Sequence, residues 1–187
     1  TVCWRGLDNL AYYRRTKDKI SRLYDTTGCG NTLDFTNTHV TTFAVDSLRY
    51  WAKRIGIDGF RFDLAATLAR LDGEFTRYHP FLYALRSDML LGNLKMIMEP
   101  WDCGPNGWRT GEFGIPFAEW NDRFRDCTRK FWLTDVDRMR GGEYGEMTMQ
   151  EMATRLCGSS DLFATDPGRG STVSVNYVAC HDGFTTA

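Results

Sequence analysis

Three carboxylates stand where chemistry could be done: Asp63, Glu99 and Asp182 each close a short strand-like run. In parallel α/β barrels and open sheets the C-terminal strand ends share one face, and active sites are assembled there. Gathering three acids on one rim works against stability, because like charges raise one another's pKa. It suits glycoside hydrolysis, which needs one ionised carboxylate and one kept protonated. Arg61 strengthens that reading. Residues i and i+2 of a strand face the same side, so Arg61 and Asp63 project together, and a guanidinium there favours the ionised form that a nucleophile requires. His181 adjoins Asp182. Neighbours on a strand point to opposite faces, but at a frayed strand end both can reach a ligand. Spacing alone leaves a plainer alternative open, in which unrelated strand-end acids cap helices or face solvent, Arg61–Asp63 is a structural ion pair, and His181 is a structural hydrogen-bonder.

The elements that must position these residues alternate between helix and strand. From His39 to Ile55, Val40, Phe43, Ala44, Leu48, Trp51, Ala52 and Ile55 recur at three- and four-residue steps, which predicts an amphipathic helix ended by Gly56. Ile57–Leu64 alternates as a strand does. A second helix is predicted over Pro80–Leu91, a strand over Lys95–Met98, and, beyond a Gly/Pro/Asn-rich loop, a strand at Ile115–Glu119. Helices over Asp122–Trp132 and Glu146–Leu156 follow, then a strand at Thr172–Ala179. This alternation indicates parallel βαβ units. Trp51, Phe81 and Phe131 are expected in the core, His79 is read as structural, and His39 as a helix-start residue. The basic group Arg14, Arg15, Lys17, Lys19 and Arg22 is read as a solvated loop face.

The chain has 187 residues, with 23 Lys+Arg against 24 Asp+Glu. Near-neutral charge supplies no basic face for phosphates, which argues against nucleic-acid binding. A hydrophobic fraction of 42% and a charged fraction of 25% are those of a globular chain. No apolar run is long enough to span a membrane, and no basic-then-apolar leader opens the sequence, so a cytoplasmic protein is expected. Six cysteines without C-x-x-C spacing read as scattered reduced thiols rather than a metal knuckle or a redox pair. No cofactor and no metal site is expected, and nothing bears on oligomeric state.

The runs Gly59-Phe60-Arg61-Phe62-Asp63-Leu64-Ala65, Glu99-Pro100-Trp101-Asp102 and His181-Asp182-Gly183-Phe184 resemble three ordered signatures of the α-amylase superfamily. Thr27-Gly28-Cys29-Gly30-Asn31-Thr32-Leu33, Asp46–Trp51, Phe117–Asp126 and Gly158–Phe163 are similar to bacterial glycogen debranching enzymes of the isoamylase type, in glycoside hydrolase family 13. The resemblance implies Asp63 as nucleophile, Glu99 as general acid/base and Asp182 as the carboxylate that binds sugar hydroxyls and stabilises the transition state. Arg61 and His181 become positioning residues for substrate and charge. Trp101, Trp108, Tyr12 and Tyr13 lie in loops where an aromatic ring either stacks on glucose or simply packs, and Trp101 is assigned to substrate binding. The implied reaction is hydrolysis of α-1,6 branch linkages in glycogen or limit dextrin by retaining double displacement, with the Asp63 and Glu99 carboxyls about 5–5.5 Å apart. A starch isoamylase, a pullulanase, a trehalose-releasing relative or a non-catalytic glucan-binding subunit are the alternatives. The sequence departs from the family at Asn37-Thr38, where His-Pro is usual, at Asp34, where Asn is usual, and at Met98.

A complete (β/α)₈ barrel takes roughly 250 residues. By resemblance, residues 1–187 make a single incomplete barrel segment of α/β class, about strands 4 to 7 of the catalytic domain, with flanking β-rich domains absent. A segment of that kind exposes unpaired edges, so on its own it is expected to be unstable and inactive.

Overall fold

Helix α2 (Thr38–Tyr50) starts where Asn37, in extended conformation, accepts a hydrogen bond from the His39 amide through its side chain. Asn37, one of the departures from the family pattern, is thus a competent N-cap. The helix runs on into a π-type turn, Trp51–Ile55, and stops at Gly56 in the left-handed region, as its sequence predicts. The computed structural model describes residues 4–139, 141 and 148–183. These fall into two compact bodies, Thr1–Phe117 and Ala118–Ala187.

In the first body, helix α1 (Arg5–Tyr12) precedes α2, and strand β1 (Gly59–Phe62) follows it. A 3₁₀ turn, Ala65–Ala69, leads into a hairpin of β2 (Arg70–Leu71) and β3 (Glu74–Phe75). The turn residues are Asp72 and Gly73, both at positive φ, the pattern a two-residue hairpin favours. Helix α3 (Pro80–Ser87) and strand β4 (Lys95–Met98) complete the βαβ unit. Strands β1 and β4 pair in parallel, with Gly59 opposite Lys95 and Phe62 opposite Met98. Gly59 must be glycine, because a Cβ there would lie 2.4 Å from the Lys95 carbonyl oxygen. The core beneath is apolar, built from Phe35, Phe62, Phe81, Leu85, Met96 and Met98 among others.

The second body carries β5 (Ala118–Asn121), α4 (Asp122–Met139), α5 (Met149–Leu156), α6 (Ser160–Phe163) and β6 (Ser174–Asn176). Strands β5 and β6 are again parallel, Glu119 opposite Ser174. The buried Asn121 amide donates to Ser159 and Ser174 at 2.8 Å, and its carbonyl oxygen accepts from the Phe124 amide and so caps α4. Glu119 and Arg169, with fully buried side chains, pair at 2.7 Å.

Both bodies are thus parallel α/β units. Several boundaries differ from the sequence reading. The strand expected at Ile115–Glu119 lies at Ala118–Asn121, since Pro116 has no N–H to give to a ladder. Helix α3 ends at Ser87, where the Asp88 carboxylate takes the amides of Leu90 and Leu91 and starts a separate turn. Helix α5 begins at Met149, capped by Thr148, and the start of the expected helix, residues 146–147, lies outside the described residues. Phe81 is buried as expected, but Trp51 is 49% exposed and Phe131 37% exposed. Both sit on faces that helical periodicity marks as apolar, and each is only partly covered. Arg14 is buried rather than solvated, pairing with Asp34 at 3.5 Å and donating to the Arg70 carbonyl oxygen. Among the described residues no helix is long and apolar enough to cross a membrane.

Candidate active site

The register of β1 against β4 puts Asp63 and Glu99 side by side just past the C-terminal strand ends. The Glu99 amide donates to the Phe62 carbonyl oxygen at 3.0 Å. Arg61, on the last turn of pleat before Asp63, spans both carboxylates: Nη1 lies 2.7 Å from Asp63 Oδ1 and Nη2 2.8 Å from Glu99 Oε1. The i, i+2 reasoning holds, and the same guanidinium also serves the second acid.

The two acids occupy opposite environments. The Asp63 side chain is 71% exposed, whereas that of Glu99 is 5% exposed. Burial pushes the Glu99 carboxyl above the usual glutamate range, and a hydrogen bond with Asp63 together with its charge adds to the rise. The Leu64 amide and Arg61 pull the other way. The Leu64 N–H donates to Glu99 Oε2 at 2.6 Å, from a left-handed backbone (φ 43, ψ 49) that is unfavourable for a non-glycine residue.

Trp101 follows in the loop after Glu99, half-buried, its amide donating to the Glu99 carbonyl oxygen at 2.9 Å. Trp108 is 40% exposed. Tyr13 is buried and Tyr12 stacks on Trp4 at 5.8 Å, so these two tyrosines pack. His79 is structural, as expected. It is fully buried and its Nδ1 accepts the Phe81 amide at the start of α3. Burial and the nearby Arg14 hold its pKa down to about 4.

Asp182 and His181 belong to the second body. Their side chains, both well exposed, meet at 3.2 Å between Nε2 and Oδ2. Trp120 packs on Tyr177 at 4.9 Å between ring centroids and lies 6.3 Å from the His181 ring. Arg125 donates to the Tyr177 hydroxyl at 3.1 Å, and burial pushes that phenol up to about 12. Phe184, the last residue of the His181 run, is outside the described residues. Arg61, Asp63 and Glu99 therefore converge within the first body, and His181 with Asp182 within the second.

Sequence reasoning missed the Leu64 amide and a buried pair between Arg70 and Asp102. Asp72-Gly73 between two short runs was the available hairpin signal that would have marked Arg70 as the base of a turn.

No protein-family model matches the chain. It is 43% identical over 185 residues to the glycogen debranching enzyme of Erwinia tasmaniensis, covering 99% of this chain and 26% of that protein. Over its length the chain is homologous to a stretch of the bacterial glycogen debranching enzymes. It is also 43% identical to the Klebsiella pneumoniae glycogen debranching enzyme, and 41% identical to the glycogen operon protein GlgX homolog of Mycobacterium tuberculosis. The chain spans about a quarter of the length of these relatives. Among solved structures it is similar to a pullulanase from an Anoxybacillus species complexed with maltotetraose, with a TM-score of 0.64 and 30% identity, covering 91% of this chain and 24% of that one. Pullulanase from Bacillus acidopullulyticus shares the fold at a TM-score of 0.66 and 22% identity.

Proposed function

We propose that this chain carries catalytic residues of an enzyme that hydrolyses α-1,6 branch linkages in glycogen or limit dextrin. The observation that carries the proposal is the pairing of a buried Glu99, its carboxyl pushed above the usual glutamate range, with an exposed Asp63 on one bridging arginine. A retaining glycosidase needs that division of labour. In this reading Glu99 protonates the glycosidic oxygen while Asp63 attacks the anomeric carbon, forming a glycosyl-enzyme. Water deprotonated by Glu99 then releases the sugar and returns the Asp63 carboxylate. Both carboxylates contact the one Arg61 guanidinium, which supports this course over inversion, where the two acids stand further apart to leave room for a water. Arg61 fixes both acids. Asp182 stabilises the transition state through sugar hydroxyls, His181 positions the same ring, and Trp101 lines the substrate side.

The segment is read as about strands 4 to 7 of a (β/α)₈ barrel in a single catalytic domain that β-rich domains flank in the whole protein. A cytoplasmic setting suits glycogen as substrate, and no nucleic-acid or membrane partner is called for. The 41–43% identity to glycogen debranching enzymes, against 30% to a pullulanase, favours glycogen branches over pullulan.

The test is substitution in the intact enzyme with reducing ends counted on branched dextrin. Asp63→Asn is expected to abolish turnover, and Glu99→Gln to lower kcat by about 10²–10⁴. Near-parent activity in either variant would sink the assignment.

A further inference from the structure

Glu99 is held from one stretch of chain at two levels. Leu64 donates its amide to Glu99 Oε2, and Ala65 donates its own to the Glu99 carbonyl oxygen at 2.9 Å. Five residues after Ala65 the stretch ends at Arg70. The Arg70 side chain is fully buried and donates through Nε and Nη2 to Asp102 Oδ2 and Oδ1 at 2.6 and 2.8 Å. Asp102 is the third residue after Glu99. Leu64–Arg70 is therefore fastened to Glu99–Asp102 at both ends, as a bracket is.

The Arg70 end has no slack. Asp102 Oδ1 also accepts the Gly104 amide, and Arg70 Nη2 also donates to the Pro105 carbonyl oxygen, both at 2.8 Å. A Cβ on Gly104 would stand 2.7 Å from the Thr26 methyl and 3.0 Å from Nη2. A buried ion pair loses much of its Coulomb gain to desolvation, and apolar side chains of similar volume would fill the space as well. What a bidentate pair adds is fixed direction.

We propose that the Arg70–Asp102 pair is a positioning device for Glu99, pinning the bracket so that the Leu64 amide stays on Oε2. The proposal rests on the reading of Glu99 as acid/base and extends it to two residues outside the reacting set. Among the described residues of its own body, the charged groups facing Glu99 are Arg61 and Asp63. Neither belongs to the bracket, so loosening it acts on Glu99 through the lost amide donor.

The experiment titrates the Glu99 carboxyl by carbon-13 NMR in the intact enzyme labelled at glutamate Cδ, its signal assigned by its absence in Glu99→Gln. The variants are Arg70→Lys and the apolar pair Arg70→Met/Asp102→Leu, which leaves no stranded charge. Both are expected to raise the Glu99 midpoint, the apolar pair further, while thermal melts verify folding. A folded variant whose midpoint stays or falls overturns the proposal, as does a lowered melting temperature with an unmoved midpoint, the mark of a purely structural pair. If the apolar pair does not fold, Arg70→Lys decides alone. Full hydrolysis by Glu99→Gln would instead remove the acid/base reading and leave the titration result standing.

Discussion

At Glu99 the balance between the two protonation states is set by named neighbours. Burial disfavours the carboxylate, and Arg61 and the Leu64 amide only partly offset it. The folded-state pKa thus lies above the ordinary value of 4.5, so the folded protein holds this proton more tightly than the unfolded chain. The stabilising contribution is complete below that value and is lost as pH rises through the raised one. Glu99→Gln cannot ionise and escapes the loss. It is expected to melt higher than the parent at neutral pH and close to it at pH 4, by calorimetry. Equal shifts at the two pH values would remove burial as the cause. The residue types at the site were legible in the sequence, since Arg61 and Asp63 follow from strand alternation. That the same guanidinium also reaches Glu99 was not, because it depends on how β1 and β4 are registered.

Among the elements, α3 shows how a cap couples helix and pH. His79 Nδ1 must be unprotonated to accept the Phe81 amide, and its pKa lies near 4 rather than 6.5. Stability from this group is complete above 6.5 and is lost as pH falls from there toward 4, roughly 3 kcal/mol at 1.36 kcal/mol per unit. His79→Asn keeps an N-cap acceptor that does not titrate. Urea unfolding at pH 7 and pH 4.5 should show a smaller acid loss for the variant than for the parent, and an equal loss would locate the sensitivity elsewhere. At α2, Asn37→Ala removes the cap and should cost about 1 kcal/mol; an unchanged urea midpoint would count against it. Both helices were predictable from periodicity and punctuation. The end of α3 was not, because Asp88 competes for the amides that would continue it.

For the whole molecule, each body carries an ion pair with both side chains fully buried, Arg70–Asp102 in the first and Glu119–Arg169 in the second. Removing one partner leaves a buried charge and costs about 3–5 kcal/mol. Glu119→Ala is therefore expected to be far more destabilising than a typical surface change, and a melting temperature within a degree of the parent would refute that. The proposed activity predicts linear oligosaccharides released from branched dextrin with linear amylose left intact. Chain-length analysis of the products checks this, and attack on amylose would exclude a debranching role.

The sequence by itself determined the α/β class, the capped helices, the strands that end in Asp63 and Glu99, and the kinship with glycogen debranching enzymes. The first three follow from local rules, since periodicity and punctuation act over a few residues, and the kinship follows from the resemblance of several motifs in order. Tertiary structure decided which charge is buried, and with it the opposed environments of Asp63 and Glu99, the reach of Arg61 to both, and the Arg70–Asp102 pair across 32 positions. Burial and long-range pairing depend on which segments the fold brings together, and desolvation then sets the cost of each charge.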